Sequence, residues 1–206
     1  MSRRIVRPER HTRLEYVAAF RELVARIAAP LISAPKRALP VRMYVAGGSA
    51  LHFYTGERVS LDVDAAFSRQ IVLPENLEIA YQDADGAARL LYFDRNHSDT
   101  LALMHEDAQD DSVPLTLEDI DAKVLDVRLL SALDLAVSKL SRFASQDRDD
   151  IAALARHGLI TSKALRERAE AALLGYVGVI DRVQGSINLA CRIVADQEKN
   201  AVKRRK

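Results

Sequence analysis

Apolar residues recur at helical spacing from Arg13 to Ala28: Leu14, Val17, Phe20, Leu23, Val24 and Ile27 share one side, while Arg21, Glu22 and Arg26 share the other. The pattern predicts an amphipathic helix that Pro30 ends. Val41 to Val45 is β-prone and stops at Gly47-Gly48, which reads as a strand entering a glycine turn. Ser49 to Thr55 reads as a short helix closed by Gly56. From Val59 to Phe67 the period is two, with Val59, Leu61 and Val63 alternating with Ser60, Asp62 and Asp64, and this predicts a half-buried strand with one polar face. Leu77 to Tyr81 and Ala88 to Phe93 flank Asp85-Gly86, the signature of a hairpin, and Leu101 to His105 suggests one more strand.

From Leu115 the period turns helical. Thr116 with Asp119, and Ser131 with Asp134, both fit the Ser/Thr-x-x-acid start signal, with Val124 to Val127 as a short strand between them. Helices are expected over Ser131 to Phe143, Asp147 to His157, Ser162 to Leu174 and Val177 to about Gln197, punctuated by Gly158 and Gly175. The expected architecture is α+β: a core of mixed sheet with an N-terminal helix over residues 1–130, then a C-terminal helical bundle over 131–206. Phe143, Tyr176 and Cys191 are expected in the core.

The chain has 206 residues, 49% hydrophobic and 29% charged, enough for a real core and incompatible with a disordered or fibrous polypeptide. With 30 Lys and Arg against 29 Asp and Glu, general charge attraction to nucleic acid is excluded, so such contacts must be local. Five arginines between Met1 and Arg13, and five basic residues between Lys199 and Lys206, are the two local concentrations. A lone Cys191 excludes an internal disulfide, no Cys/His spacing suits structural zinc, and no apolar run reaches the ~20 residues of a membrane span. A cytoplasmic protein is expected.

The chemistry concentrates in Gly47-Gly48-Ser49 and Asp62-Val63-Asp64. Carboxylates at i and i+2 of a strand share a face, roughly 7 Å apart at their roots, and can converge on Mg2+ or Mn2+. A Gly-Gly-Ser turn opening a helix offers unpaired N–H groups, a helix dipole and a hydroxyl to an anion. Together they suit phosphate transfer: one half cradles a triphosphate and the other supplies the metal that polarises it.

The order strand, Gly-Gly-Ser turn, short helix and Asp-x-Asp strand resembles the DNA polymerase beta-like nucleotidyltransferase superfamily. The intervening Arg58-Val59-Ser60-Leu61 resembles the approach to the aspartates in its bacterial toxin-type branch. A downstream block, Ser138-Lys139-Leu140, Arg142 and Asp147-Arg148-Asp149-Asp150, resembles a motif of the abortive-infection (AbiEii-type) members, with a shorter gap after the lysine. The resemblance spans about 41–155.

It implies transfer of a nucleoside monophosphate from an NTP to an acceptor hydroxyl, of RNA (notably a tRNA 3′ end) or of a protein, with a cognate antitoxin as partner. Asp62 and Asp64 would hold metal; Gly47, Gly48, Ser49 and Lys139 would hold the triphosphate. Arg58 would face transition-state charge or pair with Glu57. Asp147 and Asp150, one helical turn apart, would hold Lys139 or Arg142 in place. The superfamily's third carboxylate has two candidates, Asp94 and Asp107. The alternative is a catalytically inactive nucleotidyltransferase-like binding protein or antitoxin.

Overall fold

A computed structural model describes residues 12–96 and 102–204. The expected strand start at Leu101, the arginines before Thr12 and the last two basic residues lie outside them. The described residues form two compact units, 12–96 with 112–129 and 102–111 with 130–204. Among these residues are six α-helices and two mixed sheets, an α+β fold.

In the first unit, helix α1 (Leu14–Ala28) buries Phe20, Leu23, Val24 and Ile27 as its periodicity predicts, but Leu14, in the opening turn, is 79% exposed and Val17 only half-buried, and Tyr16 is the residue buried at that end instead. The α-helix ends at Ala28, ahead of Pro30 as expected, and the chain continues as a 3-10 turn, Ala29–Ser33, where proline in the first turn needs no N–H partner. Strand β1 (Val41–Val45) leads into helix α2 (Gly47–Thr55), which Gly56 closes at φ +67. Phe20 of α1 meets Phe53 of α2 edge-on with ring centres 4.9 Å apart.

The expected strand over Val59 to Phe67 is two strands in two sheets. β2 (Asp62–Val63) pairs in parallel with β5 (Ala88–Phe93), and β3 (Ala65–Phe67) pairs antiparallel with β1. Alternation reports which face a residue takes, not which neighbour its backbone pairs with, so a change of partner at Asp64 leaves no trace in the pattern. Leu61, expected inside, is 55% exposed.

β4 (Glu78–Gln82) and β5 form the expected hairpin around Gly86 at φ +78. Asp83 fixes the turn by accepting the N–H groups of Asp85 and Ala87 and pairing with Arg89 at 2.8 Å. Helix α1 packs on these two strands. β6 (Val113–Pro114) and β7 (Leu125–Leu129) complete the first sheet, ordered β3-β1-β7-β6, beside the second, β2-β5-β4.

Thr116 starts no helix. The chain between β6 and β7 turns at Asp119, which has φ +64, and Asp121 takes the Lys123 N–H on its own carboxylate at 2.9 Å, so the acid serves a turn. Residues 102–105 are likewise not a strand.

The second unit is a bundle of α3 (Ala132–Ser138), α4 (Ser145–Arg156), α5 (Ser162–Leu173) and α6 (Ile180–Arg204). Ser131 caps α3 as expected, accepting the Asp134 N–H at 3.0 Å. The helix stops five residues before the expected Phe143, which sits at φ +51, because the Asp147 carboxylate takes the Ala144 N–H and begins α4. Leu135, Leu140, Ile151, Leu154, Leu165, Ile187 and Val194 are fully buried, with Cys191 and Phe143 nearly so; Tyr176, expected inside, is only half-buried. No described helix is long and apolar enough to cross a membrane.

Candidate functional site

The carboxyl end of β1, the start of α2 and the chain from Arg58 to Asp64 meet in the first unit. Ala46 is extended and caps α2 with no side chain, so the first N–H groups of the helix have neither a capping oxygen nor an intrahelical acceptor. Gly47 opens the helix at φ +57, a conformation that costs other residues about 1–2 kcal/mol. A side chain here would also collide with the Asp64 carboxylate, which lies directly against the Gly47 Cα. A Cβ on Gly48 would fall 2.6 Å from Ser60 Oγ and 2.7 Å from the Arg58 guanidinium. The two glycines are therefore bare because an aspartate, a serine and an arginine approach their backbone.

Asp62 and Asp64 are half-buried. Asp62 Oδ1 accepts a short hydrogen bond from Ser60 Oγ, and the Asp64 carbonyl accepts the Ala46 N–H at 2.8 Å, tying the second aspartate to the entry of α2. Gly47, Gly48, Arg58, Asp62 and Asp64 are thus brought together.

Ser49 is completely buried, and its hydroxyl donates to the Asp62 carbonyl at 2.9 Å. That uses its one proton, so the 2.7 Å bond to Tyr16 has the phenol as donor. The chain Tyr16 to Ser49 to Asp62 runs inside the unit and holds the aspartate strand; burial raises the Tyr16 phenol above its ordinary range. His52, also fully buried, does the same for Arg58. Its Nε2 accepts the Arg13 N–H at 3.1 Å, which leaves Nδ1 to carry the proton and donate to the Arg58 carbonyl at 2.7 Å. Burial pushes this imidazole below its ordinary 6.5, against the opposing effect of the Arg58 bond and with help from the Arg13 charge.

Asp94 follows β5, and its N–H donates to the Val63 carbonyl at 3.1 Å, which places its backbone beside the aspartate strand. One of its carboxylate oxygens accepts the Asn96 N–H at 2.9 Å. Asp107 lies in the second unit, in a 3-10 turn after His105. Lys139 is also in the second unit, 7% exposed, with its ammonium 2.7 Å from Asp150 and 3.9 Å from Asp147. Arg142 grips Asp147 with two bonds of 2.8 and 2.7 Å.

Among the described residues no three His, Cys, Asp or Glu side chains are grouped to hold a metal ion. Two carboxylates nonetheless fit magnesium, which usually binds through one or two carboxylates and completes its shell with water and substrate phosphate.

Ser60, Tyr16 and His52 are contributors that sequence reasoning passes over. Ser60 has a legible signal, since Ser60, Asp62 and Asp64 share one face at i, i+2 and i+4. Tyr16 and His52 have none, being apolar-side positions of ordinary helices.

A strand, a glycine-opened helix and a returning segment with Asp62 in β2 and Asp64 just before β3, all on an α+β scaffold, are consistent with a nucleotidyltransferase-like fold. The chain belongs to the family described as nucleotidyltransferases of unknown function (DUF6036), whose model matches residues 21–181. No curated protein and no solved structure matches it.

Proposed function

We propose that the protein is a metal-dependent nucleotidyltransferase that moves a nucleoside monophosphate from an NTP to an acceptor hydroxyl, with Asp62 and Asp64 holding Mg2+ or Mn2+. The observation that carries this is the approach of the Asp64 carboxylate and the Arg58 guanidinium to the bare backbone of Gly47 and Gly48. A cation site, an anion-binding arginine and the N–H groups that open α2 lie against one another at the two glycines, the combination that a metal-bound triphosphate requires.

In this reading the α2 N–H groups and Arg58 bind phosphate oxygens, and Ser60 orients Asp62. Ser49, Tyr16 and His52 keep the strand and the arginine in place. The metal, when bound, supplies charge to the phosphates and lowers the barrier to in-line attack by the acceptor. Lys139, whose charge Asp150 matches, receives no part in holding the triphosphate. RNA, including a tRNA 3′ end, is the acceptor we favour, on the five arginines of the first thirteen residues. A toxin-type role with a neutralising protein partner would follow from that choice.

A second reading, a nucleotide-binding protein or antitoxin without turnover, draws on Asp94, one of whose oxygens closes its own turn.

Purified protein, magnesium, each α-labelled NTP and either tRNA or cell lysate test both. Label transferred by wild type and not by Asp62→Ala/Asp64→Ala establishes the transferase and names the acceptor. Metal-dependent nucleotide binding without transfer supports the second reading. Neither result with wild type removes the site.

A further inference from the structure

We infer that Tyr92 and Leu90 form a stacking platform for a nucleobase beside the aspartates, an inference that rests on the nucleotide site proposed above. β2 and β5 run parallel with Asp62 opposite Tyr92, so the two side chains leave the same face of the sheet on neighbouring strands, about 5 Å apart at the backbone. The other face of β5 is filled: Leu91 and Phe93 are buried, and the Phe93 ring lies 5.9 Å from Phe67. On the Asp62 face, Leu90 is 43% exposed and Tyr92 37%.

Antiparallel β4 places Ala80 opposite Leu90 and Glu78 opposite Tyr92. Ala88, Leu90 and Tyr92 thus give β5 an uncharged, open row, with a small residue beside Leu90 that keeps the surface low. The row runs toward the Asp-x-Asp, where phosphate-binding groups end and apolar surface begins. A nucleotide has that same division, a polyanion joined to a flat aromatic base, and an exposed tyrosine ring is a sequence-tolerant partner for the base. A free phosphate or a phosphopeptide would leave the apolar row without use.

The base belongs either to the incoming NTP or to the acceptor strand, and fluorescence separates them. The chain contains no tryptophan, so Tyr92→Trp installs a single indole at the platform. With magnesium present, this variant is titrated with ATP, GTP, CTP or UTP, with inorganic triphosphate, and with single-stranded RNA. Quenching by NTPs and not by triphosphate places the NTP base on the platform; quenching by RNA alone gives it to the acceptor.

Calorimetry on the full chain should show Tyr92→Ala raising the Kd of that ligand about tenfold, Tyr92→Phe and Tyr92→Trp staying near wild type, and the Kd of triphosphate unmoved. NTP and RNA binding by Tyr92→Ala at wild-type strength, with triphosphate still bound in an Asp64- and Arg58-dependent way, overturns the platform and leaves the phosphate site standing. Failure of wild type to bind either NTP or triphosphate overturns both. Tyr92 is at the surface, and the Tyr92→Phe variant keeps the test sound if Tyr92→Ala folds poorly.

Discussion

Two clusters of charge in this chain look alike as sequence and differ as structure. In the first unit Arg58, Asp62 and Asp64 surround a helix start and are only half-buried. In the second, Lys139, Arg142, Asp147 and Asp150 neutralise one another, with Lys139, Asp147 and Asp150 almost wholly buried. The first arrangement keeps oxygens and a guanidinium within reach of a ligand. The second satisfies its charges at home, and its product is a fixed junction between α3 and α4. A charged motif therefore has two uses, and burial of the carboxylates separates them.

Substitution should separate the two clusters most sharply. Asp150→Ala leaves the Lys139 ammonium buried without its 2.7 Å partner and should cost about 3–5 kcal/mol in denaturant unfolding, whereas Lys139→Met/Asp150→Leu should recover most of that loss. Asp62→Asn and Asp64→Asn should stay within about 1 kcal/mol of wild type in the same measurement while label transfer falls to background. Loss of stability without recovery in the paired variant would show that the lysine does more than fill the junction.

Gly47→Ala joins both kinds of effect at one position. Its φ of +57 predicts a loss of about 1–2 kcal/mol, and the new methyl group must displace the Asp64 carboxylate, so nucleotide binding should weaken along with the unfolding midpoint. Gly86→Ala, at a φ of +78 with open space around it, should reproduce the stability cost and spare binding.

Acid should act on the units in sequence. Neutral His52 has a pKa held below 6.5, so beneath that pH the unfolded chain takes up a proton that the folded chain refuses; the stability it supplies is complete above 6.5 and falls as pH drops toward the folded value. Burial alone would raise the Asp147 carboxyl, but the Arg142 bonds, the Ala144 N–H and Lys139 outweigh it and hold it below 3.8. Its contribution therefore survives until pH falls beneath 3.8. Unfolding midpoints against pH should show an upper step that His52→Gln removes and a lower one that Arg142→Ala reduces. The smallest effect is Tyr16→Phe, about 1 kcal/mol, since Ser49 keeps its bond to the Asp62 carbonyl.

What was legible follows from what each signal measures. Glycines at a strand end, an i, i+2 aspartate pair and a capping serine are local: Asp62 and Ser131 sit in the elements their neighbours predict, while α2 starts two residues early at Gly47 and Asp64 falls between two strands. Pairing partners are not local: the passage from β2 to β3 at Asp64 changes sheets without disturbing the alternation. Thr116 and Asp119 carry a cap signal in a stretch whose next requirement is a turn into β7, and the positive φ of Asp119 shows which demand prevailed. The pairing of Lys139 with Asp150 and of Arg142 with Asp147 was legible in the one-turn spacing of the two acids. Tyr16 and His52 carry no sequence signal for a part at the site, because the hydrogen bonds that make them supports for Asp62 and Arg58 span 33 and 6 residues and reach across elements.

Asp64 is the single residue between strands of different sheets, and its carbonyl is also tied to the N–H of Ala46. It is consequently a surveying point, located at once from the first sheet, the second sheet and the mouth of a helix. Errors in any of the three arrive at one carboxylate. On the proposed reading, substitutions along β3, β5 or β1 that the fold tolerates easily should register first as changes in metal affinity, ahead of any fall in melting temperature.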